Sequence, residues 1–164
     1  TAYKNSFMAK KARENGIKTV AFNYTVIKGL QWFRSLAYQL GLGMPQSQNV
    51  INAALFLAIK MKPKKVFVTG IDHDFHKNLV LDNNILFEEV SHFYTDKPFR
   101  HPLVHADGSG PVKLRQVFLN LHKVHLGYQE LNRYAKENNV EVLNITPAGF
   151  VDEFPRANAN EVFK

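Results

Sequence analysis

The spacing of apolar and polar residues switches repeatedly between helical and extended periods, and this alternation predicts an α/β layer fold. Residues 2–15 put Phe7, Met8 and Ala12 on one side and Lys10, Lys11, Arg13 and Glu14 elsewhere, a helical pattern that Gly16 ends. Ile17 to Asn23 (IKTVAFN) reads as a strand rich in Ile, Val and Phe. Leu30 to Leu40 reads as a helix closing at Gly41 and Gly43, and Pro45 precedes a polar turn, Gln46-Ser47-Gln48-Asn49. In Val50 to Met61 the apolar residues run nearly all the way round, as in a buried central helix. Lys62-Pro63-Lys64 breaks it. The near-continuous apolar run Lys65 to Ile71 then suits a strand of a parallel sheet covered on both faces.

Residues 72–110 interrupt the alternation with an irregular insert. Within it, Leu79-Val80-Leu81 and Ile85-Leu86-Phe87 flank Asp82-Asn83-Asn84 and predict a hairpin. Lys97 to Gly110, rich in Pro, His and Gly, reads as a loop, and an insert of that length in a compact domain is usually functional or mobile. Pro111 to about Asn138 is the longest helical pattern. Val140 to Ile145 is a third strand, and a short helix is expected near Phe150 to Phe154. The 164 residues suit one domain, 1–164, and three strands make a small sheet, so further sheet is expected upstream, in a larger protein.

Composition narrows the chemistry. The absence of cysteine excludes disulfides, thiolate metal sites and a cysteine nucleophile, and it fits the cytoplasm. The longest apolar run, Ala53 to Ile59, is too short to span a bilayer. A net charge of +7 points to an anionic partner. No nucleic-acid motif is present, so nucleic acid ranks low among such partners. Neither a Walker A sequence nor a G-x-G-x-x-G loop occurs.

All seven histidines lie between His73 and His125, and the densest group follows the strand Lys65 to Ile71: Gly70-Ile71-Asp72-His73-Asp74-Phe75-His76. Ligands in open α/β sheets bind at the carboxyl ends of strands. Two carboxylates and two imidazoles there can polarise a substrate, move protons or hold a divalent ion; the bland alternative is a polar surface loop. His92, in Ser91-His92-Phe93-Tyr94, is a candidate general base or a packed histidine beside two aromatics. Ser47-Gln48-Asn49 before the buried helix offers phosphate a helix N-terminus, or supplies an ordinary N-cap. His122 and His125, three apart on the long helix, could share a face, though a surface or partial core position is the commoner outcome. Asn144-Ile145-Thr146-Pro147 is either a second ligand-side loop or a turn.

The blocks Asn49 to Ala54, Val66 to Asp72, Ser91 to Tyr94 and Asn144 to Pro147, in that order, resemble the MptE-like (DUF115) family of bacterial proteins, often encoded with surface-polysaccharide genes. More distantly the chain is similar to the bacterial sialyltransferases of glycosyltransferase family 42; the likeness covers roughly residues 44–156. The resemblance implies a Rossmann-like, mostly parallel sheet with flanking helices that handles a nucleotide-linked donor: a CMP-sugar needing no metal, or ATP with magnesium. In the sialyltransferase branch it implies Gly70, Ile71, Asp72 and His73 beside the donor, His92 as base, Ser47, Gln48 and Asn49 on phosphate or ribose, and Asn144 and Thr146 near the nucleotide. In the MptE branch it implies pyrophosphoryl transfer to a pterin alcohol, with Asp72 and Asp74 as magnesium ligands. The acceptor is then a glycan or a small molecule. Cytoplasmic work peripheral to the inner membrane is expected, with oligomeric state left open, and a binding module that lost turnover is the non-enzyme alternative. Two features depart from these families: their upstream Gly-rich strand loop is not in this chain, and His73 stands where the sialyltransferases have an aromatic.

Overall fold

A computed structural model describes residues 6–19, 22–90 and 99–162. The chain divides into two compact units, Thr1–Pro45 and Gln46–Lys164, where the sequence pattern suggests one domain.

The first unit holds α1 (Phe7–Glu14) and α2 (Gln31–Gln39). Ser6 caps α1, its Oγ accepting from Ala9 N at 3.2 Å. Both helices end with a left-handed glycine: Gly16 N donates to Arg13 O and Ile17 N to Ala12 O, and Gly41 N and Leu42 N repeat the arrangement on Tyr38 O and Ala37 O. This double closure satisfies the last carbonyls of each helix. The expected strand Ile17 to Asn23 does not form among the described residues. Extended pairing comes later, where Val26 bridges Met44 in parallel and Ile27 N donates to Met44 O. β-propensity alone makes no ladder without a neighbour to bond.

The second unit contains α3 (Val50–Lys60), β1 (Lys65–Val68), β2 (Leu79–Asp82), β3 (Ile85–Val90), β4 (Phe99–Pro102), α4 (Leu114–Glu137), β5 (Glu141–Asn144) and a single turn of helix, α5 (Ala159–Val162). β1 pairs in parallel with β5, Lys65 against Glu141 through Val68 against Asn144. α3 packs on α4, with the Phe56 and Tyr134 rings 5.7 Å apart, and α4 packs on β5. Leu55, Phe56, Ile59, Tyr128, Leu131, Tyr134, Val142, Val151 and Phe154 are buried. Among the described residues the fold is thus mixed α/β, with a parallel part of two strands.

Among its described residues the 72–110 insert contains an antiparallel sheet, in the order β2-β3-β4. The hairpin stands where the pattern puts it, turning through Asn83 and Asn84, both at positive φ (47° and 61°), as a tight two-residue hairpin turn requires. β4 replaces part of the loop expected over Lys97 to Gly110. The helix expected near Phe150 to Phe154 is absent: Val151 O accepts from Asn144 Nδ2 and Glu153 O from Asn132 Nδ2, so these carbonyls bond to side chains instead of closing helical turns. Among the described residues no helix is long and apolar enough to cross a membrane.

Candidate functional site

The segments leaving β1 and β5 are locked together. Gly149, at φ +103°, lies so close to Asp72 that an added Cβ would stand 2.6 Å from its Cα and its carbonyl oxygen. Phe150 N donates to Asp72 O at 2.8 Å, and Ile71 N donates to Thr146 Oγ1 at 3.3 Å. Asn144 Oδ1 accepts from Thr146 N at 2.9 Å, while Arg156 holds the carbonyls of Thr146 and Gly149. Asn144 and Thr146 are both buried: Asn144 Nδ2 donates to Val151 O in the loop that carries Asp152 and Glu153, whereas Thr146 Oγ1 is turned to the backbone of Ile71 after β1.

His73 leaves β1 in the left-handed region, at φ +46°. Its Nε2 lies 2.7 Å from the Tyr128 hydroxyl on α4, and Asn49 Nδ2 donates to that hydroxyl at 3.3 Å. Asn49 is also the N-cap of α3, its Oδ1 accepting from Asn52 N at 2.9 Å. Serving both roles fixes which way the amide points. Burial, followed by the neighbouring His125, holds the His73 imidazole below its ordinary pKa, and burial raises the Tyr128 phenol. Both are therefore neutral near pH 7. With the Tyr128 hydroxyl as donor, His73 Nε2 accepts and the His73 proton sits on Nδ1; in the other tautomer Nε2–H donates to the hydroxyl. The chain of bonds runs Asn49 to Tyr128 to His73, after β1 of the parallel sheet.

Next to it lies a second group. His125 Nδ1 sits 2.7 Å from Glu153 Oε1, and its ring centroid is 6.4 Å from that of His73. His125, Asp152 and Glu153 each offer a ligand atom within 4.8 Å of the others.

Of the residues singled out from sequence, Asn49, Asp72 and His73 come together here, with Gly70 and Ile71 beneath them in the chain. Ser47 donates from Oγ to Asn49 O at 2.7 Å, and Gln48 is exposed beside it. Asp74 is exposed and pairs with Lys77 at 3.7 Å; neither it nor Asp72 belongs to a three-ligand set among the described residues. His92 lies outside the described residues. His122 is exposed and takes no part in the His125 group. Tyr128, Asp152 and Glu153 were not foreseen. The one available signal was the three-residue spacing of His125 and Tyr128, which shares a helix face.

No family of known proteins, no curated protein and no solved structure matches the chain.

Proposed function

We propose that the chain is a Rossmann-like transferase acting on a nucleotide-linked donor: a sialyltransferase-like glycosyltransferase of bacterial surface-glycan assembly. The observation that carries this reading is the bonded series Asn49–Tyr128–His73, which joins the N-terminus of α3 to the carboxyl end of β1. Ligands of α/β sheets gather at strand ends, and anions at helix N-termini. In this reading the free N–H groups of the first turn of α3 face the donor phosphate, flanked by Ser47 and Gln48. With the Tyr128 hydroxyl as donor, His73 Nδ1–H donates to the same anion, and Gly70, Ile71 and Asp72 floor the site. Asn144 and Thr146 act one step removed, Asn144 by holding the loop at Val151 and Thr146 by holding the backbone of Ile71. His92 is the base. It takes the acceptor hydroxyl's proton as that oxygen bonds to the anomeric carbon and the nucleotide phosphate leaves with the electrons of the old bond. The basic surface gathers anionic donors and holds the protein near an anionic membrane leaflet.

Thermal-shift measurements with CMP, CDP, UDP, ATP and GTP, with and without magnesium, test this directly, because a specific ligand raises apparent stability. Metal-independent stabilisation by CMP or a CMP-sugar, lost in Tyr128→Phe, is the expected result. No shift with any nucleotide would sink the reading. A second reading, magnesium-dependent diphosphate transfer from ATP to a pterin alcohol, is favoured by the carboxylates of Asp72, Asp152 and Glu153 near these strand ends. It requires ATP binding that needs magnesium and is lost in Asp72→Asn.

A further inference from the structure

We infer that His125, Asp152 and Glu153 form a binding site for a divalent transition-metal ion such as zinc or manganese. The inference deepens the transferase reading, since the site adjoins His73, but it stands on its own geometry. Four observations point to an ion.

The first is the donor set. One imidazole and two carboxylates have their ligand atoms within 4.8 Å of one another, and no other such set occurs among the described residues. The second is an orphan. Glu153 Oε2 is buried with no hydrogen-bond partner, while Oε1 of the same carboxylate faces His125 Nδ1. A buried carboxylate oxygen left without a partner is costly, and a cation is the partner it lacks. Third, the loop is prebuilt. Val151 O is held by Asn144 and Glu153 O by Asn132. Val151 and Phe154 are both buried, and the Phe154 ring stands edge-on to Tyr128 at 5.7 Å. Asp152 and Glu153 are thereby fixed between two anchors, as metal ligands need to be. Fourth, Asp152 is exposed, which gives an ion a way in.

The chemistry selects the kind of cation. Magnesium and calcium favour all-oxygen shells, whereas an imidazole with carboxylates suits zinc, manganese, iron or cobalt. His125 Nδ1 and Glu153 Oε1, now 2.7 Å apart, must separate to roughly 3–3.5 Å to share an ion at about 2.1 Å from each. The imidazole gives up its Nδ1 proton as the ion replaces it. Three protein ligands leave coordination positions open, as catalytic metal sites do, for water or a phosphate oxygen.

Calorimetric titration of the chelator-stripped chain with zinc and manganese salts, without nucleotide, tests the site. Expected is one ion per chain, bound about tenfold or more weakly in His125→Ala and in Glu153→Gln. Glu153→Gln keeps an acceptor for His125 and guards against misfolding; Asp152→Asn, at an exposed position, is a further check. His122→Ala, on the same helix, should bind as the parent does. Absence of binding by the parent chain overturns the site, and so does binding undiminished in all three ligand variants, since the ion would then sit on other histidines. Because nucleotide is left out, failure here leaves the thermal-shift result standing.

Discussion

Asn49 serves two neighbours with one amide, capping α3 through its oxygen and holding Tyr128 through its nitrogen. Asn49→Asp keeps the capping oxygen but cannot donate to Tyr128, whereas Asn49→Ala loses both. In urea unfolding, Asn49→Ala should cost about 1 kcal/mol or more with an unchanged slope, and Asn49→Asp should recover most of the capping part. Nucleotide stabilisation should be weakened in both variants if the link to Tyr128 matters for binding. The phenols offer a second test. Burial raises Tyr128 and Tyr134 above the ordinary tyrosine pKa. An acid whose folded pKa is raised contributes stability below its unfolded pKa, near 10, and loses it as pH climbs through the folded value. Absorbance titration should therefore show late-ionising tyrosines whose titration coincides with unfolding. If all six tyrosines ionise together on a folded protein, this environment is wrong.

Among the elements, Gly127 of α4 sets how closely α3 and α4 approach. A Cβ there would stand 2.7 Å from Asn52 Nδ2 and 2.7 Å from the backbone carbonyl of Gln46. Glycine inside a helix usually costs about 1 kcal/mol relative to alanine, so Gly127→Ala would gain that on propensity alone. Overpacking of roughly 1–3 kcal/mol opposes it, and the backbone atom cannot swing aside. We predict net destabilisation in urea unfolding; a more stable variant would mean that the helices can part. Most elements were legible. α3 announced itself through its all-round apolar residues, and the hairpin through Asn83-Asn84 between two apolar runs. β4 was not, because Phe99-Arg100-His101-Pro102 has no alternation and ends in proline. An edge strand tolerates both, and Arg100 is held by the Phe87 ring at 4.2 Å and by Asp82 at 3.4 Å. The strand expected at Ile17 to Asn23 failed for the opposite reason: it has the composition but, among the described residues, no ladder.

At the scale of the whole molecule, the candidate site was only half visible in the sequence. Asp72 and His73 could be found because a strand end is a local event. His125 could be picked out as a histidine of the long helix, but its neighbours Tyr128 and Glu153 could not, because what brings the three together is the pairing of β1 with β5 and the packing of α4, and neither leaves a local periodicity. Glu153 in particular lay in a stretch that read as a short helix. Its role depends on Asn132 and Asn144 claiming the backbone there. The boundary after Pro45 yields a further prediction: a fragment spanning 46–164 should unfold cooperatively, since its helices, strands and buried aromatics pack on one another. Circular dichroism on denaturant titration decides it; a gradual, non-cooperative melt would refute it. The pairing of Lys65 with Glu141 has a consequence in time as well as space. Among the described residues β1 has no ladder partner until the chain has passed through the insert and the whole of α4. Contacts closing so long a loop form late and slowly. During synthesis the hairpin and the helices can assemble early, while the apolar strand Val66-Phe67-Val68 waits uncovered. That interval, before β5 emerges, is when this protein is most exposed to aggregation.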